Sequence, residues 1–174
     1  MTETNNQKPA IFIGTDFNEA AEAQYPLDRI LLRDSLVSAG SWAAHNGYRV
    51  VVRDHPAISG TFKYIFKEIT GSAADVSVEP EAASISEIVA KHHPEVAVLA
   101  GGFEKTAADF GVLLHQADVA FLPLPTTGGV TRALFMQHKA ELTLPPETVR
   151  QLERGRVSSV LLALGDSKPP KGGP

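Results

Sequence analysis

Short apolar runs alternate along the chain with longer stretches in which apolar residues return every three or four positions. Ala10-Ile11-Phe12-Ile13-Gly14 is an apolar run closed by glycine and predicts a buried strand. The stretch from Pro26 to about Asn46 predicts a long helix, with proline at its first position and Gly47 at its stop. Two apolar sets share one broad face of that helix. Ile30, Val37 and Ala44 stand at seven-residue spacing, and Leu32, Leu36, Ala39 and Ala43 follow at threes and fours. Tyr48 to Arg53 is strongly β-prone and predicts the second strand. Thr61 to Ile69 reads as a short helix with Phe62, Ile65, Phe66 and Ile69 inward.

Asp75 to Val78 alternates as a strand does. Ser84 to His93 predicts a helix stopped by Pro94, with Ser84 and Glu87 spaced as a capping box. Val96 to Ala100 reads as a central strand, Lys105 to Gln116 as a helix and Val119 to Leu122 as another strand. Gly129 to about His138 and Pro145 to Arg154 read as helices. Val157 to Leu164 fits a strand and a helix equally, because the apolar run is too short to arbitrate. The alternation implies a single Rossmann-like α/β domain whose mostly parallel central sheet is flanked by helices. The folded unit is expected over residues 9–165, with flexible polar tails at 1–8 and 166–174.

Composition narrows the function classes. No apolar run approaches the roughly 20 residues that span a bilayer, and the start lacks an apolar leader. No membrane association is expected, and a cytoplasmic location fits. The absence of cysteine excludes disulfides and thiolate metal sites. The net charge of −4, without a basic run, makes nucleic acid an unlikely partner. His92 and His93 are adjacent and face different sides of a helix, a poor arrangement for one metal. Neither a metal nor a cofactor is expected.

In such sheets ligands sit beyond the carboxyl ends of the strands, where strand order reverses. Four turns fall on that edge. They are Gly14-Thr15-Asp16-Phe17, Asp54 to Ile58 with His55, Gly101 to Thr106, and Pro123 to Val130 with Thr126, Thr127, Gly128 and Gly129. The third and fourth carry paired glycines between a strand and a helix. Backbone can approach a ligand closely there, and helix amides favour an anion such as phosphate. Arg132 is placed to reach back over the fourth turn and pair with that phosphate. The plain alternative is that these glycines only make tight turns. His55 is held extended by Pro56, and either bonds a ligand or caps nearby backbone. Glu104 and Asp109 are the candidate catalytic carboxylates, with helix capping as the alternative.

The segment Gly101-Gly-Phe-Glu-Lys-Thr-Ala-Ala-Asp109 resembles a variant of the P-G-G-x-G-T-x-x-E signature of the LOG proteins. Together with Ile11-Phe-Ile-Gly14, His55-Pro-Ala-Ile58 and Thr127-Gly-Gly-Val-Thr-Arg132, the chain is more similar to the SLOG domains found with TIR or sirtuin effectors in bacterial conflict systems. The resemblance spans about residues 10 to 137. It implies a Rossmann-like fold and a site for nucleotides or ADP-ribose-type signals. Enzymatic LOG members cleave the N-glycosidic bond of a nucleoside monophosphate. Here Ala100 replaces the proline, the Gly-Thr pair is out of register, and Asp109 stands where glutamate is expected. A carboxylate one methylene shorter is misplaced for such catalysis.

The first expectation is therefore a sensor of a nucleotide-derived small molecule, an ADP-ribose-like or cyclic-nucleotide signal, in bacterial defence or stress signalling. It would act as a homo-oligomer and report through self-association or a separate effector protein. The alternative is a LOG-like N-glycoside hydrolase or transferase acting on a nucleoside monophosphate. A nucleic-acid binder of the DprA type ranks last.

Overall fold

The computed structural model describes residues 8–167. Five strands make the sheet: β1 (Ala10–Gly14), β2 (Arg49–Arg53), β3 (Val76–Glu79), β4 (Val96–Ala100) and β5 (Ala120–Leu124). Their order is β3-β2-β1-β4-β5 and every pairing is parallel. The helices are α1 (Glu19–Glu22), α2 (Arg29–His45), α3 (Pro56–Thr70), α4 (Ile85–His92), α5 (Glu104–Leu113), α6 (Gly129–His138), α7 (Pro146–Glu153) and α8 (Val157–Ser167). The chain is thus a single α/β domain of Rossmann-like architecture.

Both sheet faces are buried, as parallel strands require. Side chains alternate across β1, so Ile11 and Ile13 join Val50, Val52 and Val98 against α2, α3 and α8. Ala10 and Phe12 join Val51, Leu99 and Phe121 against α4 and α5. A polar cluster interrupts this second face at the start of β2. Arg49 donates to Nδ1 of His92, and Nε2 of His92 bonds Glu79 at 2.6 Å. Arginine only donates, so Nδ1 must be the bare nitrogen and Nε2–H faces the carboxylate.

Several expected boundaries move. Helix α2 starts at Arg29 rather than Pro26, capped by the Asp28 carboxylate on the Leu31 amide at 3.0 Å. Pro26 is not helical because its carbonyl accepts from the Gly129 amide, and Leu27 bridges Gly128. Of the two apolar sets on α2, the one spaced at threes and fours is buried, whereas Ile30 is 74% exposed. Helix α3 starts five residues early, with Pro56 in its first turn and His55 as cap. The capping box at Ser84 and Glu87 forms as expected. Residues 157–167 are a helix, because Val157, Val160, Leu161 and Leu164 repeat at helical spacing and pack into the core. Among the described residues no helix is long and apolar enough to cross a membrane.

Candidate functional site

Strand order reverses between β1 and β4, whose carboxyl ends lie side by side with Gly14 opposite Leu99. A cleft opens over this edge as two adjoining pockets that share Asp16, Phe17, Arg53 and Lys105. The smaller, of about 170 Å³, reaches Thr15, Asp54, His55 and Glu81. The larger, of about 620 Å³, runs along the start of α4 and one side of α5, past Glu104 and Asp109.

The floor of the cleft is an ion pair. Arg53 ends an apolar strand, and parity puts it on the inner face with Val51. A guanidinium there needs a partner, since unpaired burial of charge is costly. Asp109 supplies it, accepting from both terminal nitrogens at 2.5 and 2.8 Å, while Nε donates to the Ala83 carbonyl at 2.8 Å. Arg53 also lies over the Phe12 ring at 5.5 Å. Burial raises the Asp109 carboxyl above its ordinary value, and the guanidinium works in the opposite direction.

Asp16 defines the wall between the β1 and β4 turns. Its carboxylate accepts from the amides of Phe103, Lys105 and Thr106 at 2.7, 3.4 and 3.1 Å, and from the Thr106 hydroxyl at 2.5 Å. The start of α5 is thereby filled by a carboxylate from the chain itself.

The fourth turn is closed in another way. The amides of Gly129, Val130 and Thr131 donate to the carbonyls of Pro26, Gly102 and Gly101 at 2.9 to 3.1 Å. The Thr131 hydroxyl also donates to Gly101, and the Gly101 amide donates to the Thr127 hydroxyl. Gly128 and Gly129 both hold positive φ, and a Cβ at either would meet backbone at 2.3 or 2.5 Å. Their lack of a side chain serves turn-to-turn packing. The anion cradle expected over Gly128 and Gly129 is therefore not open, because its amides already have acceptors.

The expected site residues divide accordingly. Gly14, Thr15, Asp16, His55, Glu104 and Asp109 line the cleft. Gly101, Gly102, Thr127, Gly128 and Gly129 are buried beneath the turns. Thr126 and the exposed Arg132 line a separate groove with Leu31 and Met136. His55 caps α3, its Nδ1 accepting from the Ala57 amide at 3.3 Å, and its ring lines the cleft and packs on Phe17 with centroids 5.0 Å apart. Sequence reasoning missed Arg53 and Lys105. The signal for Arg53 was its inward parity in β2, and that for Lys105 was its place one residue into α5. Among the described residues no group of three or more His, Asp or Glu side chains is placed to hold a metal.

No family model matches the chain, and no curated protein sequence does. A solved structure does. The X-ray structure of TM1055, a structural genomics target, superposes with a TM-score of 0.55 over 83% of this chain and 88% of its own, at 16% identity. That similarity supports the Rossmann-like fold.

Proposed function

We propose that this domain binds a nucleotide-derived small molecule in the cleft over β1, β2 and β4, as a sensor of the SLOG kind. The observation that carries the reading is the cleft itself. It lies beside the strand-order reversal, where α/β sheets take their ligands, and it is lined by the ends of β1 and β2, the segments that follow β1, β2 and β3, and the start of α5. Sensing is favoured over turnover by Asp109, whose two oxygens are both held by Arg53. A carboxylate fixed in that way is poorly placed to act on a ligand proton. The readout is placed in self-association or in a separate effector protein. The LOG-like hydrolase remains a second reading because Glu104 is exposed on the cleft.

A thermal-shift and calorimetry panel of nucleosides, nucleoside monophosphates, ADP-ribose and cyclic nucleotides tests this, since a ligand of the native state raises its apparent stability. Saturable binding with no release of free base is the expected result. Binding by no member of the panel would refute the reading. Multiple-turnover base release, abolished in Glu104→Gln, would replace it with the hydrolase.

A further inference from the structure

We infer that the part of the ligand recognised by this cleft is uncharged, made of sugar hydroxyls and a planar base, and that the cleft does not read a phosphate. This rests on the ligand-binding proposal above and narrows its chemistry.

A phosphate site in an α/β domain is ordinarily built from free helix amides and free cations. Here the helix amides are largely taken, one of the two cations is paired, and the other is outnumbered by carboxylates. At the start of α5 the amides of Phe103, Lys105 and Thr106 donate to Asp16, and those of Gly129, Val130 and Thr131 in α6 donate to backbone carbonyls. Arg53 is committed to Asp109 and to the Ala83 carbonyl. The Lys105 ammonium donates to the Glu81 carbonyl. Two cations face five carboxylates across the two pockets, namely Asp16, Asp54, Glu81, Glu104 and Asp109. Asp16 and Asp109 are bonded internally. Asp54, Glu81 and Glu104 have no side-chain partner among the described residues. A phosphate entering here would meet like charge at the rim.

The same groups suit a diol. A carboxylate has about four lone-pair sites and accepts readily from neighbouring hydroxyls. Two further observations point to a neutral ligand. The Thr15 hydroxyl, beside the smaller pocket, lacks a hydrogen-bond partner among the described residues and is covered from solvent. Buried polar atoms of this kind call for a partner, and a turn about the Cα–Cβ bond would be needed to present this one to a ligand hydroxyl. Phe17 is 42% exposed and packs against His55 at the same pocket, offering an aromatic surface for a flat ring.

The test is calorimetry on the full chain with matched ligands: adenosine and guanosine, their 2′-deoxy forms, and their 5′-monophosphates. Parent nucleosides are expected to bind about 5- to 10-fold more tightly than the monophosphates at low salt, with the gap shrinking toward 0.5 M salt as the charges are screened. The 2′-deoxy forms are expected to bind about 10-fold more weakly than the parents, as loss of one charge-assisted hydrogen bond implies. In the triple variant Asp54→Asn, Glu81→Gln, Glu104→Gln the penalty on the phosphate should vanish. Arg132→Ala, in the separate groove, should change neither affinity. Monophosphates that bind more tightly than nucleosides, with the preference lost in Arg132→Ala or Lys105→Ala, would overturn the inference and leave the ligand-binding proposal standing. Binding of neither series would bring down both.

Discussion

Truncating Asp109 to alanine should expose how much the cleft floor contributes to stability. The side chains of Arg53 and Asp109 are 7% and 3% exposed, so water does not screen the pair. Asp109→Ala removes two of the three hydrogen bonds to Arg53 and leaves a buried cation with the Ala83 carbonyl and the Phe12 ring. Losing one partner of a buried pair costs about 3–5 kcal/mol. With a urea dependence of about 2 kcal/mol per molar, the midpoint should fall by about 1.5–2.5 M. The double variant Arg53→Met, Asp109→Leu should return to within about 1 kcal/mol of the parent, because the desolvation cost of both ions goes with them. Asp109→Asn keeps one acceptor oxygen but turns an NH2 toward the guanidinium, so it should recover only part of the alanine loss. Burial raises the carboxyl, so the fold tolerates its neutral form better than the unfolded chain does. The corresponding stability is full below the ordinary aspartate value of 3.8 and is lost as pH rises through the raised value in the fold. An Asp109→Ala cost below about 1 kcal/mol, typical of an exposed pair, would mean that solvent reaches the pair and would refute the argument.

Gly129→Ala should lower the melting temperature by several degrees, since φ is +62° and the new Cβ would stand 2.5 Å from the Gly101 carbonyl carbon. A melt unchanged from the parent would mean that the two turns are not packed as described. Glu79 is held below its ordinary value of 4.5 by its bonds to Lys91 and His92. Its stabilisation is therefore full above 4.5 and lost as pH falls through the lower value in the fold, so Glu79→Gln should flatten the loss of stability as pH falls below 4.5. Urea midpoints that fall equally in parent and variant would remove Glu79 from the acid limb.

The parallel sheet was legible in the sequence because buried strands announce themselves as short apolar runs between helical patterns. The four strongest runs became adjacent parallel strands β2, β1, β4 and β5. The start of α2 was not legible, because Pro26 is withheld from the helix by a bond to a residue about a hundred positions on, at Gly129. The glycine pairs were visible, and their purpose was not. Whether a glycine makes room for a ligand or for another turn depends on what stands opposite, and here that is the chain's own backbone. Asp16 was picked out as a ligand contact, yet nothing local revealed that its carboxylate crosses to the α5 amides. The Arg53–Asp109 pair joins positions 56 residues apart and could be suspected only from the parity of one charged residue in an apolar strand.

Asp16 also has a consequence that can be put as a competition. Its carboxylate is a resident occupant of the α5 amides, tethered to them through the end of β1. A tethered group acts at an effective concentration of millimolar or more even on a flexible linker, and on a strand end it is held more closely still. Any dissolved anion must outcompete that occupant before it takes the amides of Phe103 and Thr106. If the cleft binds a ligand as proposed, its selectivity rests with groups on the outer walls, which can change without disturbing the strand-to-helix joint.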